Sequence, residues 1–128
     1  MRIPLSLSIA LLLVSCYQVE RNCADYKTGT FEFTYTENGQ EKVGKFTRTE
    51  TLNIDYYDSK IDTSSIRWVN DCEFILKKLH PENRNEEMPI HMKILSTTKD
   101  SYTFEYKYAV KEPGKATKTI KGVAKKVN

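Results

Sequence analysis

Three cysteines carry most of the reactive chemistry in this 128-residue sequence: Cys16, Cys23 and Cys72. Cys16 stands directly behind Ser15, at the end of an apolar run from Ile3 to Val14 that follows a single basic residue, Arg2. A basic start, a short apolar stretch and a small residue at the junction are the marks of a secretory signal peptide. The run is shorter than the roughly twenty residues needed to cross a hydrocarbon core. Other reactive side chains are scattered. His80 and His91 lie eleven positions apart without further ligands at metal-binding spacing, so no metal centre is expected. The acids Asp55, Asp58, Asp62, Glu86 and Glu87 show no spacing that argues for acid–base work. No nucleophile signature or phosphate loop occurs. The sequence therefore points away from an enzyme, and no cofactor is implied.

The tetrapeptide Leu13-Val14-Ser15-Cys16 resembles the bacterial lipobox. The resemblance implies that residues 1–15 are removed and that the Cys16 thiol and the new amine are acylated. Several acyl chains anchor a protein far more firmly than the single chain that binds marginally. Tyr17 occupies the position where aspartate signals inner-membrane retention in some bacteria, which favours the outer membrane. The expected address is the cell envelope, with the membrane as a partner through Cys16.

Removing residues 1–15 leaves 113 residues and takes Arg2 from the formal charge of +3, leaving +2. That length suits one domain, and the charge gives no argument for nucleic acid. An exported chain tends to pair its remaining cysteines. A Cys23–Cys72 bond would close a loop worth roughly 4 kcal/mol on chain-entropy reasoning and would pin the segment after the anchor. Free thiols are the alternative.

Period-two alternation, the pattern of half-buried strands, dominates from Thr28 onward. The expected organisation is a tether over 16–27 and a β domain over 28–128. Phe31, Phe33 and Tyr35 share a face, and Asn38-Gly39 signals a hairpin turn. Between Val43 and Tyr57, Phe46, Leu52, Ile54 and Tyr56 share one parity, with Asn53 and Asp55 on the other. Arg48 and Glu50 share the apolar parity; a bulge or a rim position is expected to keep them in water. Further breaks are read at Asp58-Ser59-Lys60, at Asp62 to Ser64, at Asn70-Asp71 and at Lys99-Asp100. Residues 80–89 read as a charged loop. Tyr102, Phe104, Tyr106 and Tyr108 form the clearest alternating strand. Glu112-Pro113-Gly114-Lys115 suits a type II turn. The lysines Lys111, Lys115, Lys118, Lys121, Lys125 and Lys126 look like protection of a solvated edge strand.

The reading is an all-β, antiparallel up-and-down meander that closes into a lipocalin-like barrel of seven or eight strands, with a β-sandwich as the alternative. Trp68, Phe74, Tyr102, Phe104, Tyr106 and Tyr108 are candidates to line an interior pocket for a small apolar or amphipathic ligand. An envelope protein is the other expected partner of such a binder, and the bland alternative is a structural or assembly lipoprotein with a filled barrel acting through its surface. Thr28-Gly29-Thr30-Phe31 and Ile66-Arg67-Trp68-Val69-Asn70-Asp71-Cys72-Glu73-Phe74 resemble a family of small uncharacterised bacterial lipoproteins, to which no activity is attached. Members sometimes carry an automatic DNA topoisomerase IV label, which a short exported chain contradicts. The likeness to lipocalins is architectural alone, because Gly29-Thr30-Phe31 stands where their Gly-x-Trp would be.

Overall fold

A computed structural model describes residues 19–57, 59–109, 114 and 118–128. The lipobox and Cys16, and all but Gly114 of the turn at 112–115, lie outside the described residues. Eight strands follow one another: β1 (Gly29–Glu37), β2 (Gln40–Arg48), β3 (Leu52–Tyr57), β4 (Lys60–Asn70), β5 (Glu73–Lys78), β6 (Ile90–Thr97), β7 (Ser101–Tyr108) and β8 (Ile120–Lys126). Each pairs antiparallel with the next, and β8 pairs with β1, so the sheet is a closed up-and-down barrel. The strand order and closure expected from the sequence are those observed. Because β8 is paired on both sides, its lysines do not protect an open edge. Lys121 and Lys125 alternate with inward Gly122 and Ala124, and Lys126 donates to the Asp25 carbonyl at 2.7 Å.

Local chemistry explains the turns. Asn38 and Gly39 both take positive φ, 52° and 75°, as a two-residue hairpin loop requires. Thr49-Glu50-Thr51 makes the next turn, with the Thr49 hydroxyl accepting from the backbone N–H of Leu52 at 3.1 Å. The four residues 49–52 between the paired Arg48 and Asn53 fix which face of β3 points inward. Arg48 pairs with Asn53 and Phe46 with Asp55, so Asn53 and Asp55 enter the barrel and Leu52, Ile54 and Tyr56 turn outward. This reverses the facing expected for β3. Asp62 to Ser64, expected to break the chain, instead lie within the continuous β4. The loop between β5 and β6 holds one helical turn, α1 (Arg84–Glu87), capped by Asn83.

The two ends of the barrel differ. The base is packed solid with Phe31, Phe46, Phe74, Ile94, Tyr102 and Ala124, all buried. A 3₁₀ turn, η1 (Cys23–Tyr26), lies across it, with Cys23 and Tyr26 both buried. Cys23 is joined to Cys72 in the β4–β5 turn by a disulfide. A bulge at Leu95 shifts the β6–β7 register and swings Thr97 into the base. There its hydroxyl accepts from the backbone N–H of Asn22 at 2.8 Å, and its own N–H donates to Glu20 at 2.8 Å. Residues 20–26, expected as part of a tether, are thus built into the fold.

Candidate functional site

Above the base, the inward positions change from large to small. Gly44 and Gly122 face the interior, and the rings of Phe33 and Phe104 lie against them. A Cβ on either glycine would come within 2.4 Å or 2.7 Å of the ring. On the opposite wall, β3 and β4 send in Asn53, Asp55, Asp62 and Ser64, which are short. Aromatic side chains laid flat on one wall and short polar ones on the other leave a partly open cavity of about 260 Å³. It runs from Arg48, Asn53 and Tyr102 near the base, past Phe46, Asp55, Met92 and Phe104, to Phe33, Leu76, Ile90 and Tyr106.

Arg48 is the centre of the polar floor. It is 2% exposed and points inward, not to a rim as the sequence suggested, while Glu50 sits exposed in the turn. No ion pair therefore forms between them. The guanidinium donates to three different partners. One Nη reaches the carbonyl of Tyr26 at 2.8 Å and the other the Tyr102 hydroxyl at 2.9 Å, while Nε reaches Asn53 Oδ1 at 3.4 Å. The rings of Phe31, Phe46, Phe74 and Tyr102 surround it at 4.6 to 5.7 Å. Aromatic faces and fixed acceptors replace the water that a buried cation would otherwise need. Burial raises the Tyr102 phenol above its ordinary value, and Arg48 partly opposes the shift.

The polar chain continues up the short-sided wall. Asn53 takes Arg48 on its oxygen and donates from Nδ2 to the Asp55 carboxylate at 3.3 Å. Asp55 faces Asp62 directly across β3 and β4. Burial and the Asp62 charge push its pKa up to about 6, against the opposing pull of Asn53, Arg48 and Lys78. Asp62 is held by Lys78 at 2.7 Å, and Lys78 also meets Glu86 of α1 at 2.9 Å. Burial alone would weaken the Lys78 ammonium, yet the two carboxylates outweigh it and hold its pKa above the ordinary value. Among the described residues, Asp55 is left without an ion pair of its own.

Of the six aromatic residues expected to line a pocket, Tyr102, Phe104 and Tyr106 do so. Trp68 and Phe74 are not in its lining; they pack on each other at a tilt of 46°, 4.6 Å between centroids, with Lys27 over the indole at 5.2 Å. Tyr108 is half exposed beyond the cavity. Asn53 and Asp55 face inward because the β2–β3 turn sets their side, whereas Arg48 faces inward because β2 keeps the parity of Gly44 and Phe46 to its end, without the bulge that the sequence suggests. The Thr49 hydroxyl, which accepts from the backbone N–H groups of Thr51 and Leu52, was the available signal. His80 is exposed, and His91 meets Glu73 at 3.2 Å on the outer face. The described residues contain no cluster of metal-binding side chains, and none of their helices is long and apolar enough to cross a membrane.

Comparison of the chain with known protein families, curated proteins and solved structures finds no match.

Proposed function

We propose that this chain is a lipid-anchored protein of the bacterial envelope that holds a small apolar or amphipathic ligand inside its barrel. The observation that carries the binding half is the 260 Å³ cavity with aromatic walls and a hydrogen-bonded polar floor. An eight-stranded barrel is wide enough either to be filled by side chains or to take one small ligand. Here the base is filled and the remainder is not, which favours a binder over a surface-only assembly protein. Pockets of this kind use an apolar lining for affinity and a few fixed polar groups for orientation. The anchoring half rests on the Leu13-Val14-Ser15-Cys16 tetrapeptide.

The two halves are tested separately. Cys16→Ser should abolish incorporation of labelled palmitate and move the protein from the membrane to the soluble fraction; retention in the membrane refutes the anchor. Native mass spectrometry of that soluble form should reveal a co-purified small molecule or uptake of an added amphiphile. A barrel that takes up neither, with its disulfide intact, refutes the binding reading.

A further inference from the structure

From the juxtaposition of an unpaired carboxylate with an aromatic wall, we propose that the cavity selects a small organic cation, with its ammonium head against Asp55 and its apolar body along Phe33, Phe46 and Phe104. The inference rests on the binding reading above and names its ligand class.

Among the described residues, two charged side chains line the cavity, Arg48 and Asp55. The Arg48 guanidinium is spent on Tyr26, Asn53 and Tyr102 and enclosed by four rings. It is part of the floor and offers little to a ligand. Lys78, the other nearby cation, is held by Asp62 and Glu86. Asp55 receives one neutral hydrogen bond, from Asn53, and faces Asp62 across the strand pair. Its carboxylate is therefore the charge still open to a partner. Five aromatic residues share the cavity with it: Phe33, Phe46, Tyr102, Phe104 and Tyr106. Ring faces and a carboxylate are the two groups that attract an ammonium ion when water is excluded.

The site also carries a cost that such a ligand relieves. Asp55 ionises in a place that resists its charge, where burial and Asp62 oppose it and Asn53, Arg48 and Lys78 only partly compensate. A cation bound there stabilises the ionised form. Protons compete for the same carboxylate, so binding weakens as the pH falls below about 6. The groups facing Asp55 are Arg48 from β2, Asp62 from β4, Lys78 from β5 and Tyr102 from β7.

The test is calorimetric titration of the Cys16→Ser chain with three probes of eight carbons each: octylamine, octanol and octanoate. At pH 7.5 octylamine should bind about ten-fold or more tighter than octanol, the range of a charge-assisted contact. Asp55→Asn should erase that preference. In the unsubstituted site the preference should shrink between pH 7.5 and pH 5 while octanol stays constant. This second measurement decides the matter if the variant fails to fold. Octanol equal to octylamine, or octanoate the tightest of the three, overturns the cation assignment and leaves the cavity reading standing. Failure of all three probes overturns both.

Discussion

Arg48 ties the first turn of the chain to three strands. Its donors satisfy the Tyr26 carbonyl, the Tyr102 hydroxyl and Asn53 together. Lysine carries the charge but not the planar fork, so it cannot reach all three. Arg48→Lys is expected to lose about 2 kcal/mol, and Arg48→Met more, because unpaired buried acceptors then remain; urea unfolding at neutral pH measures both. Asp55 behaves oppositely. Its folded pKa of about 6 lies above the unfolded value of 3.8. A raised acid favours the folded state below the unfolded pKa and loses that advantage as pH rises to the folded one. Asp55→Asn should therefore stabilise the ligand-free protein at pH 7.5, on the order of 2 kcal/mol, and change little at pH 4. A destabilised variant at pH 7.5 would mean that the Arg48 charge outweighs burial.

Elements create the cavity by what they omit. Glycine inside a strand weakens it and marks a close approach, and here the approaching groups are the Phe33 and Phe104 rings. Gly44→Ala would push Phe33 off the wall into the cavity, and Gly122→Ala would do the same with Phe104. Each ring can yield by rotating, so the expected stability cost is modest, about 1 kcal/mol. Amphiphile binding should fall sharply in either variant. Unchanged affinity in both would place the ligand elsewhere. The β2–β3 turn matters as much. A one-residue change at Thr49–Thr51 would exchange Asn53 and Asp55 for Leu52 and Ile54 on the inner face, since side chains alternate along a strand.

Across the whole molecule, the described barrel has one closed end and one cavity-bearing part. The Cys23–Cys72 bond, the Thr97 contacts and Arg48 all serve the closed end. Replacing both cysteines by serine should cost about 2–4 kcal/mol and lower the unfolding midpoint. The cavity lies above the bond, so a loss of ligand affinity beyond the loss of folded protein would show that the base shapes the site.

Alternation alone specified strands, since period two leaves no other way to bury one face. Asn38-Gly39 specified a hairpin through its tolerance of positive φ, and the cysteine count specified a pairing. The aromatic rows of β1 and β7 were legible for the same reason, because every residue from Phe31 to Tyr35 and from Tyr102 to Tyr106 keeps its parity. The Leu95 bulge and the length of the β2–β3 turn were not legible. Each depends on how one strand registers against another, and a one-residue difference inverts a whole face. That inversion is why Asp55 reads as a solvent-facing acid in sequence and stands as the open charge of a cavity in the folded barrel. Tertiary structure alone decided it, because only a partner strand determines which side of β3 is inside.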